Sequence, residues 1–472
     1  ASGTYWVPKF NGELRTDKPP LHYYFMVLGF KLFGTTVLGA RFFSALMGFI
    51  TLLTTFGFAR HYFGNAVAQT TLLILVGSFF FMQEFHLAVP DPYLIAFVTL
   101  GLFSFYYFYV TKKYLYLVLF YFFLALGALS KGPVAIALPG LSVGLFILLQ
   151  KELKNTFRYY PILGLLGIAL IVVPWFWQVH LKTDGLWTQG FFYDHNLSRF
   201  SAPMEGHGGS FLVTWGFVFL GLLPFSFFIP QAFRHAWRER TNPALAFTGC
   251  VAVVFIVFFS ISSTKLPNYT MPCYAFITLL LGSFFTKKMD VGFSRWDMVS
   301  VLLLSLLAMA LPVVAHVGMQ QEVSLISLSH VAFGLVPTAI GTLLGLLFYI
   351  RKKTAAFLLT TTFSWGMLLF ILHGYLYPQL TAVLPTTAVA EVLPENAKIV
   401  VYKRMDAAFP FAFQQTFKVI HNINEVANLE GYYLLTNHSE GQDLDAFENI
   451  RRVISRKALF ENHTTVLYRI EK

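Results

Sequence analysis

Charged side chains are scarce in this sequence. Asp, Glu, Lys and Arg together supply 12% of the 472 residues, whereas soluble proteins carry about 25%. Apolar residues reach 56%, and Phe alone occurs 53 times. A soluble core cannot hide that much apolar surface, so the solvent for most of the chain must be lipid. The composition therefore excludes a soluble protein and predicts an all-α polytopic membrane protein.

Cysteine and targeting signals are also sparse. Cys250 and Cys273 both lie in apolar runs, so neither a disulfide framework nor a Cys-based metal site is indicated. No signal peptide is visible, and the opening residues, ASGTYWVPKFNGELR, are typical of the middle of a loop. We therefore expect the natural N-terminus to precede residue 1. The net charge of +11 does not indicate a nucleic-acid partner, because the basic residues form short clusters between apolar runs.

Twelve apolar runs are long enough to predict membrane spans, and a shorter run at 21–33 predicts a helix at the membrane interface. One set of loops between the spans carries fifteen basic residues, whereas the alternate loops carry only four. The basic set is therefore predicted to be cytoplasmic, which places the loops 1–39 and 181–210 and the C-terminus outside. The predicted spans are 40–60, 66–86, 90–110, 115–130, 133–150, 161–180, 211–230, 244–262, 270–286, 297–317, 331–350 and 355–376.

The composition changes after Pro378, where short β-type runs alternate with polar segments. The runs 397–402, 417–420, 432–436 and 464–470 predict strands, and the apolar spacing in 443–457 predicts a helix. We therefore expect a membrane domain over 1–376 and a small extracytoplasmic α/β domain over 378–472.

Charges at the outward ends of the spans need an explanation, since the positive-inside bias should make cations rare there. Asp91 lies between two prolines in AVPDPYL, a pattern that also suits a helix N-cap. Lys131, in LSKGP, is either a snorkelling lysine or a cation directed at an anionic headgroup. Asp17 and Lys18 precede two prolines in TDKPP, and we expect the aspartate to keep the neighbouring amine charged and oriented.

Two outward loops add further polar groups. Tyr269 follows Lys265 in STKLPNY. The loop 191–209 is either an ordinary hydrated loop or a substrate-binding loop, and its two histidines lack regular metal-ligand spacing. Four cations converge on one face, Lys18, Lys131, Arg199 and Lys265, and such a rim suits a phosphate anchored in that leaflet. The candidate acceptor-binding residues are Asp194, His195, Asn196, Glu205, His207 and Tyr269.

Several stretches together resemble one family of membrane enzymes. WVPKFNGELRTDKPPLHYY, ARFFSAL, SKGP, FFYDHNLSRF with EGHGG, and STKLPNY occur in order from residue 1 to 269. They are similar to the aminoarabinose transferase (ArnT) branch of the protein O-mannosyltransferase-like glycosyltransferases, and the resemblance extends to about residue 376. Asp17-Lys18 stands where this family usually has Glu-Lys.

The resemblance implies a GT-C fold with thirteen membrane helices in the bacterial inner membrane and a periplasmic active site. It also implies a polyprenyl-phosphate sugar donor, and a principal catalytic Asp that would lie before residue 1. We expect Lys131, Lys18, Lys265 and Arg199 to stabilise the leaving phosphate, with Asp91 and Asp17 as the acids within this chain. The acceptor would be a lipid (lipid A-like), a glycan or a protein, with transfer by inversion. No cofactor is certain, and a divalent metal held by Asp or His ligands is left open.

A transporter or flippase for a lipid-linked or anionic substrate is the alternative. Such proteins place ionisable residues near the midplane, often on broken helices within inverted repeats. The sequence shows no convincing internal repeat, and its unusual charges gather at one face. The pattern therefore favours the enzyme over the transporter.

Overall fold

The computed structural model describes residues 5–198, 208–459 and 463–471. The chain divides into two compact units. The larger unit comprises Ala1–Pro8, Leu14–Met309 and Pro337–Leu369, and the smaller unit comprises Lys9–Glu13, Ala310–Val336 and Phe370–Lys472.

Apolar helices dominate the chain up to residue 371, as the composition predicts. Two short strands precede them, β1 (Lys9–Phe10) and β2 (Glu13–Leu14). Segments of 3-10 helix cover Leu153–Tyr159, Phe225–Phe228, Pro267–Cys273 and Val323–Leu335, and a π-helical segment covers Gly190–Leu197. The α-helices are α1 (Leu21–Phe33), α2 (Val37–Phe63), α3 (Asn65–Val76), α4 (Phe79–Glu84), α5 (Asp91–Thr111), α6 (Tyr114–Lys131), α7 (Val134–Leu149), α8 (Pro161–Lys182), α9 (Leu186–Gln189), α10 (Phe211–Gly221), α11 (Ile229–Arg238), α12 (Pro243–Ile261), α13 (Tyr274–Val291), α14 (Arg295–Gln321), α15 (Val336–Ile350) and α16 (Thr354–Ile371).

Within the described residues, nine helices are long and apolar enough to cross a membrane, or ten if one bent pair counts as a span. The polytopic class is confirmed, but the expected number of twelve is not reached. Two of the predicted spans form helices of only 12 and 16 residues, α3 and α7. At 1.5 Å per residue, α3 extends about 18 Å, which is short for a hydrocarbon core of about 30 Å.

Breaks within two predicted spans explain part of this difference. The run 66–86 divides at Gly77 and Ser78, which separate α3 from α4. The run 211–230 divides after Gly221, where the chain bends by 116° between the two helical segments. Pro224 lies between those halves, and a proline cannot continue the hydrogen-bond ladder of a helix.

The smaller unit contains a five-stranded mixed sheet with the order β4-β3-β5-β7-β6. The strands are β3 (Ile399–Tyr402), β4 (Lys418–Ile420), β5 (Tyr433–Asn437), β6 (Ile450–Lys457) and β7 (Thr464–Ile470). β3 pairs in parallel with β4 and β5, whereas β7 pairs antiparallel with β5 and β6. The remaining elements are a π-turn (Leu372–Leu376), α17 (Tyr377–Thr381), α18 (Pro385–Val392), α19 (Phe409–Ala412) and 3-10 turns at Ile423–Asn428 and Gln442–Ala446.

Successive side chains of each strand point to opposite faces of the sheet, so the two faces pack into separate hydrophobic cores. Val400, Leu434 and Tyr468 belong to one core, and Val401 and Leu435 belong to the other. The four strands predicted from the sequence correspond to β3, β4, β5 and β7, at closely similar positions.

The helix predicted over 443–457 is wrong. The segment forms a 3-10 turn followed by β6, which pairs with β7. A register shift between Arg452 and Ile454 adds one residue to the strand, so Ile450 packs into the core on one face of the sheet and Ile454 against the core on the other. Three β-branched residues, Ile450, Val453 and Ile454, favour the strand.

Candidate functional site

A cavity of about 480 Å³ lies in the larger unit, and the ends of helices contribute to its lining. Two of its lining residues are the first residue of α5 and the last residue of α6. Most of the lining is apolar, and the charged and polar groups are few, which is the usual character of a ligand site. The polar lining residues are Asp17, Lys18, Asp91, Lys131, His195, Asn196, Ser262, Asn268 and Tyr269.

Two of the lining residues, Asp91 and Lys131, form an ion pair. The side chains are 5% and 12% exposed, respectively. The Asp91 side chain makes no capping hydrogen bond, because α5 takes Pro90 as its N-cap. The Lys131 ammonium also lies 4.8 Å from the ring centroid of Tyr269, within the range of a cation–π interaction. The Asp91 carboxylate therefore pairs with Lys131 and does not cap helix α5.

The backbone after Lys131 turns sharply, which fixes the end of α6. Gly132 has a φ of +101°, and a Cβ there would lie 2.6 Å from the Phe191 ring. A larger residue would meet both backbone strain and a steric clash. The SKGP sequence thus places Lys131 and brings Phe191 to the cavity.

Asp17 and Lys18 both line the cavity, but they do not form the pair that their adjacency suggests. The Asp17 carboxylate accepts two hydrogen bonds from Arg15, at 2.8 and 3.1 Å. The Lys18 ammonium donates to the backbone carbonyl of Asp17 at 2.9 Å. Burial alone would raise the pKa of Asp17, but the Arg15 hydrogen bond and charge, with a contribution from Lys18, hold that pKa below its ordinary value.

The segment carrying these charges is fixed by the region after α8. The indole N–H of Trp187 donates to the Arg15 carbonyl at 2.8 Å, and Trp187 is fully buried. A Cβ at Gly190 would lie 2.7 Å from the Thr16 hydroxyl, so the two segments need a glycine to approach this closely. Arg15 was not among the predicted site residues, although its role is now evident.

The other predicted cations occupy different surroundings. Lys265 is buried, with 6% exposed, and its ammonium donates to the Ser262 carbonyl at 2.5 Å. Lys265 is not among the cavity-lining residues, although Ser262 and Leu266 are. Arg199 lies outside the described residues. The structure therefore brings two of the four predicted cations, Lys18 and Lys131, to the cavity.

The predicted acceptor-binding residues also separate into groups. His195, Asn196 and Tyr269 line the cavity, and Asn196 donates to the Phe191 carbonyl at 2.7 Å. Asp194 is exposed and does not contribute to the lining. Glu205 and His207 lie outside the described residues.

No group of three or more His, Cys, Asp or Glu side chains that could hold a metal occurs in the ranges the structure describes. One buried acid near the site was missed at the level of the sequence. Glu84 is 5% exposed, and the Asn268 side chain hydrogen-bonds it. The signal was a lone acid in the aromatic run FFFMQEF, where a charge is costly.

Parts of this chain are similar in sequence to known proteins. Residues 17–177 match the family described as dolichyl-phosphate-mannose-protein mannosyltransferase. An uncharacterized protein of Aquifex aeolicus is 30% identical over 316 residues, which cover 66% of this chain and 62% of that protein. An undecaprenyl phosphate-alpha-4-amino-4-deoxy-L-arabinose arabinosyl transferase of Aeromonas hydrophila is 29% identical over 301 residues, 60% of this chain and 52% of the enzyme. The chain thus spans between half and two thirds of these relatives.

Among solved structures, ArnT from Cupriavidus metallidurans bound to undecaprenyl phosphate superposes with a TM-score of 0.81 at 20% identity. The match covers 99% of this chain and 90% of that one. The fold is therefore that of a GT-C membrane protein with a small C-terminal sheet. More particularly, the fold is similar to that of ArnT, and this similarity, together with the arabinosyl transferase among the relatives, agrees with the resemblance found in the sequence motifs.

Proposed function

We propose that the chain is an integral membrane glycosyltransferase that moves a sugar from a polyprenyl-phosphate donor, with inversion, to a lipid, glycan or protein acceptor. The observation that carries the proposal is the Lys131 ammonium, paired with the buried Asp91 at the wall of a largely apolar cavity. The ArnT-like fold and the arabinosyl transferase among its relatives support it. We include a lipid A-like acceptor because the resemblance in the sequence motifs implies one.

The donor chemistry explains the cations. Cleavage of the sugar–phosphate bond develops negative charge on the lipid phosphate, and fixed cations stabilise that charge most effectively in a site of low polarity. Lys131 and Lys18 both line the cavity, so we assign them to the phosphate. The cavity's apolar residues, among them Phe191, Phe258 and Phe259, suit the first isoprene units next to it.

The acids have different surroundings and therefore different roles. Both carboxylate oxygens of Asp17 accept from Arg15, so Asp17 holds the 15–18 segment and positions Lys18. Asp91 binds Lys131 through one oxygen, which makes Asp91 the acid of this cavity that remains suited to a proton-transfer role. A hydroxyl acceptor needs such a base, whereas a phosphate acceptor is already anionic and needs none.

The orientation of the site follows from the loop charges. The basic loops are expected on the cytoplasmic side, and the ends of α5 and α6 that bear Asp91 and Lys131 are opposite to them in the alternation of spans. We therefore propose a bacterial inner-membrane protein whose cavity opens on the periplasmic side. A cysteine introduced at the exposed residue Lys112 should react with a membrane-impermeant maleimide only after the cells are opened. Labelling in intact spheroplasts would overturn this orientation.

A reaction without compartments tests the proposed activity. Purified protein in detergent should release polyprenyl phosphate from a polyprenyl-phosphate sugar and glycosylate a lipid A acceptor, with no gradient present. Mass spectrometry of lipids that co-purify would identify the donor class beforehand. A transporter or flippase needs two compartments and would leave both lipids unchanged in detergent. Unchanged donor in the presence of lipid, glycan and peptide acceptors would refute the proposed transfer.

A further inference from the structure

An apolar groove of about 330 Å³ lies between α6 and α8, and the proposed reaction does not use it. Residues within 114–122 and 160–171 line it, and most of them are aliphatic, aromatic or glycine. Tyr114 and Lys131 are the first and last residues of the 18-residue helix α6. At 1.5 Å per residue, the Tyr114 end of the groove is therefore about 26 Å from Lys131. The groove is a separate site from the cavity described above.

Two glycines of α8 give the groove its shape. A Cβ at Gly164 would lie 2.1 Å from the Tyr121 ring, so a glycine is needed for α8 to approach α6 this closely. The Tyr121 hydroxyl donates to the Tyr159 carbonyl at 2.7 Å, which holds that ring in place. At Gly167, by contrast, no atom of another described segment lies within 4 Å of where a Cβ would be. The two helices thus make contact at one glycine and leave open space at the next.

The groove opens towards the surroundings of the chain. The candidate span Leu153–Lys182, which contains α8, is 22% buried, less than the other eight helices of the described residues that qualify as spans. Val118 and Leu163 line the groove and are exposed. Because both helices are apolar enough to cross a membrane, the molecules that reach this groove are lipids or helices of another membrane protein.

Basic side chains surround the end of the groove that Tyr114 and Tyr160 form. The two connecting segments at this end, 112–113 and 150–160, carry five cations and one acid. The acid, Glu152, accepts a hydrogen bond from a tyrosine hydroxyl at 3.0 Å. The cations are Lys112, Lys113, Lys151, Lys154 and Arg158. The local excess of positive charge favours an anionic ligand.

Two of these cations are placed to meet such a ligand. Lys113 and Arg158 are exposed, and neither forms an ion pair among the residues that the structure describes. Lys113 directly precedes Tyr114 as the N-cap of α6, and the charge of Arg158 acts on the Tyr114 hydroxyl. The rings of Tyr114 and Tyr160 meet edge to face, with centroids 5.9 Å apart. Tyr160 has a φ of +45°, so the fold accepts backbone strain where this aromatic pair forms.

We propose that this groove binds an anionic phospholipid of the bilayer, with an acyl chain between α6 and α8 and the phosphate at Lys113 and Arg158. Tyrosines are enriched at the level of the headgroups, and basic pockets between membrane helices on the side of the basic loops suit such headgroups. An apolar helix of a partner protein would leave these cations without a counter-charge. The inference goes beyond the proposed reaction and does not depend on it.

The test compares two lipids that have the same acyl chains. The purified full chain in detergent is titrated with phosphatidylglycerol or phosphatidylcholine, and native mass spectrometry counts the bound lipids. Phosphatidylglycerol should give a saturable adduct, and phosphatidylcholine should bind far more weakly. Arg158→Gln should lower the affinity for phosphatidylglycerol about fivefold, and Arg158→Gln with Lys113→Gln about 25-fold, the usual effect of one basic side chain each at a membrane surface. Equal affinity for both lipids, or wild-type affinity in the double variant, would overturn the proposal.

Matched variants control for charge and for shape. Arg60→Gln removes an exposed cation at the end of α2 and should keep the wild-type affinity. Gly167→Leu places a side chain in the groove and should abolish the adduct. Gly57→Leu adds the same side chain at an exposed position of α2 that is equally open, and it should bind like the wild-type protein. Thermal unfolding checks that each variant is folded. A phosphatidylglycerol adduct that survives Gly167→Leu would refute the location.

A photoactivatable phosphatidylglycerol locates the adduct on the wild-type protein, independently of any variant. Crosslinks should fall within 114–122 and 160–171, and crosslinks confined to other segments would refute the proposal. Undecaprenyl phosphate at equal concentration should leave these crosslinks in place, whereas their loss would assign the groove to the polyprenyl carrier instead. A dimer that Gly167→Leu dissociates would assign the groove to a second copy of the chain. Absence of sugar transfer would count against the proposed function alone.

Discussion

Lys131→Ala should reduce both the stability and the activity of this protein, for separate reasons. The side chain is 12% exposed and binds Asp91, which is 5% exposed. Removing Lys131 leaves the buried Asp91 charge without compensation and costs up to about 3–5 kcal/mol of folding free energy, the range for a fully buried pair.

The effect on the reaction follows from the charge at the phosphate. Loss of one charge-assisted contact to the leaving group should cost about 2–4 kcal/mol of transition-state stabilisation, or roughly 30- to 1000-fold in rate. Lys131→Arg should recover only part of the rate, because a guanidinium spreads its charge over a planar fork. Lys112→Ala, at an exposed position, is the control and should have near-normal rate and stability.

A double variant separates the two effects. Lys131→Ala with Asp91→Asn removes both charges, so most of the lost thermal stability should return. The rate of sugar transfer from a polyprenyl-phosphate donor in detergent should stay low, since the cation is still missing. Near-normal transfer by a well-folded Lys131→Ala protein would make Lys131 a structural counter-ion of Asp91 and refute its assignment to the phosphate.

Two further predictions follow from described contacts. Asn11 donates a hydrogen bond to the Phe417 carbonyl at 2.9 Å and accepts one from the Phe417 N–H at 2.7 Å. Asn11→Ala should therefore lower the stability of the smaller unit by about 1–3 kcal/mol. Thermal unfolding of the sheet measures this loss, and an unchanged midpoint would contradict it. Because Arg15 holds the pKa of Asp17 below its ordinary value, the stabilisation is complete above that ordinary value and is lost as the pH falls through the lowered one. Asp17→Asn should therefore flatten the acid limb of the stability–pH curve, and an acid limb identical to that of the wild-type protein would contradict the Arg15 assignment.

The neighbours of Asp17 show why adjacency in sequence was a poor guide to pairing. The sequence suggested that Asp17 orients Lys18, the next residue. In an extended segment, however, successive side chains point to opposite sides, and residues two apart share a side. The stretch from 15 to 18 is not helical, so Arg15 meets Asp17 and the amine of Lys18 turns to a backbone carbonyl.

The limits of a span count are equally physical. Hydropathy identified each apolar run correctly as a helix-forming segment, because lipid requires every backbone group to be satisfied within the segment. It did not detect the breaks at Gly77 and after Gly221, since a broken helix has the same mean hydropathy as a straight one. Local helix-breaking residues such as Pro224 carry that information, and their effect depends on the packing around them.

The cavity shows which features of the site can be predicted from one sequence and which cannot. Lone charges at the ends of apolar runs pointed to Asp91 and Lys131 because no topological rule explains them. Their pairing joins positions 40 residues apart, and it exists only because α5 and α6 pack with those two ends together. Glu84 adds a third position whose significance depends on the same packing, since an acid in an aromatic run is merely unusual until Asp91 and Asn268 are placed beside it. The sequence therefore identifies which charged residues occupy unusual positions, whereas the fold determines which of them contact one another.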